Sequence, residues 1–147
     1  MAGSSITVTT GNGLFNWADF DVRQRPLSVA WVSDSAAGTV SLPIASGYAS
    51  SLTYKSGVTK IIGRIGRITT VPNTGATQPS DKYTITLLDA DGVDVLDGAL
   101  ATASGCSNST AQNWIFSPAI VVNSDLTLTI ASAGNSKTGT INLYFVR

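Results

Sequence analysis

Apolar side chains recur at every second position through much of this chain, and no other feature of the sequence constrains the fold as strongly. The alternation is cleanest in SITVTT (residues 5–10), LSVAWVS (27–33), YTITLL (83–88), LTLTI (126–130) and TINLYFV (140–146). A period of two places alternate side chains on opposite faces of an extended strand. The pattern therefore predicts half-buried β-strands.

The choice of acidic residue agrees with this alternation. All the acidic residues are aspartate, which favours turns, and glutamate, which favours helices, is absent. Residues 15–20 are the one helix candidate. We predict an all-β fold: a single β-sandwich, jelly-roll-like or Greek-key, of about nine strands with at most one short helix.

Prolines, glycines and loops divide the chain further. A strand at 39–44 contains Pro43, which indicates a sheet edge or the end of the strand. A strand at 59–71 contains Gly63 and Gly66, which indicate bulges or a close approach of backbone. The polar residues 99–113 are predicted to form a long surface loop. Residues 132–139 are predicted to form a hairpin loop between the last two strands, at 126–130 and 140–146. Residues 1–147 form one predicted domain, of which 1–13 can extend as an N-terminal arm.

Missing residue types exclude several functional classes. The chain has no histidine and a single cysteine, Cys106, so histidine-based triads and multi-cysteine zinc sites are excluded. Its formal net charge is zero, which disfavours nucleic-acid binding. No apolar run approaches the ~20 residues that cross a bilayer. We therefore expect a non-enzymatic protein with no cofactor and with neither a nucleic-acid nor a membrane partner.

The stretch LLDADGVDVLDG is the one segment that suggests a metal site. It concentrates four carboxylates, those of Asp89, Asp91, Asp94 and Asp97. A calcium-binding EF-hand loop that begins at Asp89 fails at three positions, which hold Val93, Asp94 and Leu100.

A hairpin accounts for the same stretch more simply. Asp91-Gly92 is a strong two-residue turn signal, and the Asp89 side chain can cap that turn. Residues 93–96 would then run back as a strand, with Val93 facing inward and Asp94 facing solvent. We predict no metal ligands here, with calcium binding by the four aspartates as the alternative; paired carboxylates for glycoside hydrolysis rank below it.

Three groups of residues are candidates for contact with a partner. The apolar group within residues 14–20 forms either a plug at one end of the sandwich or a docking patch. The extended N-terminus can pair with the sheet edge of another chain. The arginines of GRIGRI are expected on the solvated face of a strand, where they can reach acidic groups of a neighbouring subunit. The candidate contact residues are Ile6, Val8, Leu14, Phe15, Trp17, Phe20, Arg64 and Arg67.

Three segments carry a recurring pattern: PNTGATQP (residues 72–79), DKYTITLLDADGVDVL (81–96) and SAGNSKTGTI (132–141). Through them the second half of the chain, from residue 56 onward, resembles a family of small proteins encoded among the head and virion genes of tailed bacteriophages. The first half matches loosely, through residues 27–33 and the turn that follows.

Some phage proteins of this kind are cement, or decoration, proteins: β-sandwiches, often trimers, that bind outside the shell at three-fold or quasi-three-fold positions. The resemblance implies a capsid decoration protein that is made in the host cytoplasm. It would sit on the outer capsid surface of the virion as a homotrimer and stabilise the assembled head by bridging major capsid protein subunits. It supplies no catalytic residues. The alternative is a glycan- or receptor-binding module of a phage tail or fibre. In such a module Trp114 could stack on sugar; otherwise Trp114 is expected to pack in the core.

Overall fold

Eight β-strands make up most of the regular structure in the described part of this protein. The computed structural model describes residues 3–9, 27–47, 61–102 and 104–146. The strands in these ranges are β1 (Ser5–Thr9), β2 (Leu27–Val32), β3 (Val40–Pro43), β4 (Ile61–Pro72), β5 (Thr84–Leu88), β6 (Gln112–Ser124), β7 (Thr127–Ala131) and β8 (Thr138–Val146). The helix predicted at 15–20 lies outside these ranges, whose helical elements are two short 3-10 turns, Ile44–Gly47 and Gly75–Thr77. Within the described ranges we find no helix with the length and hydrophobicity of a bilayer-spanning segment.

The strands form two antiparallel sheets. One sheet has five strands in the order β1-β2-β8-β4-β6, and the other has three strands in the order β3-β7-β5. After β2, each connection between successive described strands changes sheet. The all-β, sandwich-like fold class that the sequence predicts is confirmed.

Alternate side chains of both sheets fill one shared core. In β2, Leu27, Val29 and Trp31 are buried, whereas Ala30 and Val32 are exposed. The largest fully buried side chains come from both sheets and from their connections: Trp31, Tyr83, Leu27, Ile44, Ile65 and Ile68 are among them. Burying one such aliphatic side chain stabilises the fold by roughly 1.5–3 kcal/mol, so the period-two pattern is the main source of stability.

The largest core side chain requires a glycine on the neighbouring strand. Trp31 pairs in register with Gly139, and a Cβ on Gly139 would lie 2.7 Å from the indole Cζ2 atom. On its other side the Trp31 ring packs on Tyr83, with ring centroids 5.6 Å apart and planes tilted by 50°. The indole therefore reaches the middle of the core only because β8 presents bare backbone beneath it.

Two local predictions from proline and glycine are confirmed. Pro43 ends β3, which is an edge strand of the three-stranded sheet, where its missing N–H removes no hydrogen bond from the ladder. The register of β4 shifts between Ile65 and Arg67, so Gly66 lies at a β-bulge.

Predictions that required knowledge of strand pairing are wrong. β7 and β8 lie in different sheets, so residues 132–139 cross between sheets and do not form a hairpin loop. The sequence also predicts two short apolar pieces, residues 114–116 and 119–122, separated by Pro118, but both belong to one strand, β6, which continues through the cis Ser117-Pro118 bond. Both errors arise because alternation marks a strand but does not identify its partner.

The segment predicted as a surface loop at 99–113 is partly held in the core. Leu100 and Cys106 are buried, and Cys106 forms an isolated bridge with Tyr83. The Cys106 N–H donates to the Tyr83 carbonyl at 2.7 Å, and the Lys82 N–H donates to the Cys106 carbonyl at 3.0 Å. These two bonds fix the polar segment against the start of β5.

We expect the Cys106 thiol to be inert in the folded protein. Burial raises its pKa to about 12 and leaves its surface 0% exposed, so the reactive thiolate is neither populated nor reachable at pH 8. A chromogenic disulfide reagent should label native protein at least about a hundredfold more slowly than protein unfolded in guanidinium chloride. Labelling of native protein at the rate of a free cysteine would contradict this burial.

Candidate interaction surface

The outward surface of the five-stranded sheet, here called the outer face, arranges side chains in cross-strand rows. Register places Asn142 of β8 between Ser28 of β2 and Thr69 of β4. The next row places Thr140 between Ala30 and Val71. Because both rows are fixed by antiparallel pairing on the two sides of β8, the outer face is regular where these rows cross β2, β8 and β4.

A hydrogen-bonded chain of side chains runs across three strands of this face. The Ser28 hydroxyl donates to Asn142 Oδ1 at 2.5 Å, and Asn142 Nδ2 donates to Thr69 Oγ1 at 3.1 Å. Bonds between side chains fix their rotamers before any partner arrives, which lowers the entropy lost on binding.

Arginine is the only charged residue type in this sheet. Strands β1, β2, β4, β6 and β8 contain no lysine and no acidic residue, and their charges are those of Arg64 and Arg67, both in β4. The centres of protein interfaces are likewise depleted in lysine and acidic residues and enriched in arginine and tyrosine. The composition of the outer face is therefore typical of a contact surface.

One end of the outer face combines these arginines with exposed apolar side chains. We call it the arginine corner, and its residues are Arg64, Arg67, Ile115, Val121, Tyr144 and Val146. Arg67 pairs in register with Ile115 on one side and Tyr144 on the other. Ile115 and Val121 of edge strand β6 are 73% and 72% exposed. The Arg67 Cζ atom lies 4.0 Å from the centroid of the Tyr144 ring, a cation–π geometry.

The bulge at Gly66 is the reason that both arginines share this face. Residues three apart on a regular strand point to opposite faces, yet Arg64 and Arg67 are both exposed, whereas Ile65 and Ile68 are both buried. The bulge inserts one extra residue into β4, and this extra residue brings both guanidinium groups to the same face of the sheet. A side chain at the bulge is also obstructed, because a Cβ on Gly66 would lie 2.6 Å from Val146 Cγ1.

The first aspartate of the 87–98 stretch organises a turn, as predicted. Asp89 Oδ1 accepts the N–H groups of Asp91 and Val93, each at 2.9 Å. The Gly92 N–H donates to the Asp89 carbonyl at 3.0 Å, and Gly92 has a φ of 80°. The turn predicted at Asp91-Gly92 is thus present.

The returning strand predicted at 93–96 is wrong. Only Asp94 forms a bridge, with Leu88, and Val93 is 58% exposed where we expected it to face inward. Asp94, expected in solvent, turns toward the backbone: its Oδ1 accepts the N–H groups of Leu87 at 3.0 Å and Leu96 at 3.1 Å. Its Oδ2 accepts the Gly98 N–H at 2.9 Å. Because one carboxylate accepts three backbone N–H groups here, it stabilises turns in place of the predicted strand.

The calcium alternative would need the same carboxylates that this geometry uses. Two of its four ligands, Asp89 and Asp94, direct carboxylate oxygens at backbone N–H groups. Within the ranges that the structure covers, no three histidine, cysteine or acidic side chains converge in a way that could hold a metal ion.

A third aspartate, outside this stretch, acts in the same way. Asp34, in the turn between β2 and β3, accepts the N–H of Ala37, the N–H of Ala36 at 2.9 Å and the Thr39 hydroxyl at 3.1 Å. The Ala37 bond, with the others, holds the pKa of the Asp34 carboxyl below its ordinary value. Aspartates in this protein therefore shape loops at several places.

No family model, curated protein or solved structure matches this chain. Its function is therefore proposed below from the outer face, together with the resemblance that the sequence analysis states.

The structure exposes some of the predicted contact residues on one face and buries others in the core. Arg64 and Arg67 lie on the same face, in the arginine corner. Ile6 and Val8, predicted to contact a partner, are 8% and 0% exposed and belong to the chain's own core, and β1 pairs with β2 of its own sheet. The remaining candidates, Leu14, Phe15, Trp17 and Phe20, lie outside the described residues.

Sequence reasoning missed the four residues that complete the arginine corner: Ile115, Val121, Tyr144 and Val146. Tyr144 and Val146 could have been assigned to the outer face, because they alternate with the apolar residues of TINLYFV that we predicted to be buried. Ile115 and Val121 lie in nearly continuous apolar runs, in which alternation gives no signal.

Proposed function

We propose that this chain is a non-enzymatic structural protein of a tailed-phage virion, a decoration protein that stabilises the assembled head by bridging major capsid protein subunits. The observation that carries the proposal is the outer face, which is nearly uncharged and exposes apolar side chains on four of its five strands: Val32, Val71, Ile115, Val121 and Val146. The phage-like segments within residues 72–141 supply the class of partner.

The size of the outer face suits such a role. Five strands at a spacing of about 4.8 Å, and rows that follow the nine residues of β8 at about 3.3 Å each, cover roughly 700 Å². One side of a standard protein interface buries about 800 Å² of accessible surface. A single face of this kind can therefore anchor one protein partner.

Stabilisation would follow from mass action. A protein that binds the assembled shell and not its free subunits shifts the equilibrium toward the shell by the free energy of that binding. If three copies act as the homotrimer that the resemblance implies, the attachment of one copy raises the effective concentration of the others at their sites. A modest affinity of each copy would then give the trimer a high overall affinity for the shell.

Two features of the described side chains support a non-enzymatic role. The thiol of Cys106 is buried, and the Asp34, Asp89 and Asp94 carboxylates are engaged by backbone N–H groups. Neither described tryptophan supports the glycan-binding alternative, because Trp31 is 1% exposed and Trp114 packs against the core. The proposal therefore keeps one function.

Cosedimentation with capsids tests this proposal. The purified chain is mixed with empty, mature shells of the phage that encodes it, and separately with unassembled coat protein. We expect saturable pelleting with shells and none with free coat subunits, because only the lattice presents several subunits at the required spacing. Absence of binding to shells, together with capture on a glycan array, would overturn the proposal in favour of a fibre module.

A further inference from the structure

We infer that the arginine corner is the part of the outer face that touches the coat, and that it binds a carboxylate-bearing segment of the major capsid protein in which apolar residues flank the acidic ones. This inference rests on the proposed function and adds the location and the chemistry of the contact.

Charge complementarity selects this occupant. The strands of the sheet contain two cations and no anion, and the aspartates in the described ranges lie in the connections between strands. A second copy that presented the same face would oppose arginine to arginine. Aspartate or glutamate of a different protein would instead accept hydrogen bonds from the guanidinium groups.

The geometry of Arg67 prepares it for such a carboxylate. Its guanidinium carbon lies over the Tyr144 ring, 4.0 Å from the centroid, a distance at which a guanidinium stacks on an aromatic face. The N–H donors of a guanidinium point outward in that plane, which leaves them directed to an incoming carboxylate while the face of the group stays on the ring. Less side-chain entropy is then lost when the ion pair forms.

Exposed apolar side chains beside the arginines would strengthen that pair. Ile115 of β6 is the cross-strand neighbour of Arg67, and Val121 of β6 is the cross-strand neighbour of Arg64. Both are more than two-thirds exposed on β6, the edge strand of the sheet. Apolar flanking residues of a partner would cover them and exclude water from the guanidinium, which raises the strength of the ion pair.

Charge-removing variants provide the test. The affinity for mature shells is measured by cosedimentation for Arg67→Gln, for Arg64→Gln with Arg67→Gln, and for the control Lys82→Gln. Lys82 is an exposed cation in a turn outside the five-stranded sheet. We expect Arg67→Gln to weaken binding about tenfold, the double variant to weaken it further, and Lys82→Gln to stay within about twofold.

A second pair of variants adds one negative charge to each end of the outer face. Ile115→Asp places a carboxylate inside the arginine corner, whereas Thr7→Asp places one on β1 at the other edge of the sheet. We expect Ile115→Asp to reduce affinity at least about tenfold and Thr7→Asp to leave it within about twofold, with unchanged melting temperatures for both.

The outcomes separate this inference from the proposed function. If the native chain binds shells and both arginine variants bind equally well, the inference fails and the function stands. If the native chain does not bind shells, both fail. Affinity that does not fall between about 50 and 500 mM NaCl would also overturn the inference, because the attraction between a cationic corner and an approaching acidic segment is screened over that range.

Discussion

Replacing Gly105 with alanine should lower the free energy of unfolding by about 4 kcal/mol, a large part of the roughly 5–15 kcal/mol that holds a typical domain folded. Gly105 has a φ of 59°, and a Cβ there would lie 2.5 Å from the carbonyl carbon of Lys82. The left-handed conformation accounts for about 1–2 kcal/mol and the clash for about 1–3 kcal/mol. Relief by movement is prevented, because the clashing atoms are backbone and the neighbouring Cys106 is hydrogen-bonded to Tyr83.

Gly92→Ala is the matched control for this prediction. Gly92 also has a positive φ, 80°, but a Cβ there meets no atom of the described residues within 4 Å. It should therefore lose only about 1–2 kcal/mol, the conformational part. Urea denaturation followed by tryptophan fluorescence gives both values. Equal losses for the two variants would mean that the close approach of residue 105 to the start of β5 does not exist in solution.

Asp94→Ala should destabilise the fold by about 3 kcal/mol. Its carboxylate accepts three backbone N–H groups, those of Leu87, Leu96 and Gly98, and alanine would leave these donors without a partner. The loss should appear in chemical denaturation as a shifted midpoint with an unchanged slope, because the denatured chain is not altered.

Asp91→Ala provides the contrast, since Asp91 is exposed and its side chain accepts none of the hydrogen bonds recorded for the described residues. We expect a change within about 0.5 kcal/mol there. If both variants lose the same stability, and calcium stabilises the native chain but neither variant, the aspartates bind an ion and the backbone role is wrong.

The sequence predicted the sheets better than it predicted their connections. Alternation located the strands because a half-buried strand needs it at every position, as Leu27, Val29 and Trp31 show. Pro43 and Gly66 were predicted correctly because each changes the local backbone irrespective of its surroundings. Pairing depends on residues far along the chain, so the change of sheet between β7 and β8 was not predictable from either strand.

The contact surface was predictable only in part, for a similar reason. Arg64 and Arg67 were expected on a solvated face, yet only the bulge between them decides that they share it. Ile6 and Val8 were assigned to a partner because β1 was treated as free, whereas its pairing with β2 turns both side chains into the core. Exposed Ile115 and Val121 carry no signal in the sequence, since apolar residues usually indicate burial.

The arginine-only character of the five-stranded sheet has an electrical consequence. Guanidinium groups keep their proton at every acidity in which proteins stay folded, and the described strands of this sheet offer neither a carboxylate nor an imidazole. The charge of this surface is therefore positive in both mildly acidic and neutral surroundings. If the outer face is the contact that we propose, an acid-triggered release would have to arise outside the described strands of this sheet, because the charge of these strands stays constant.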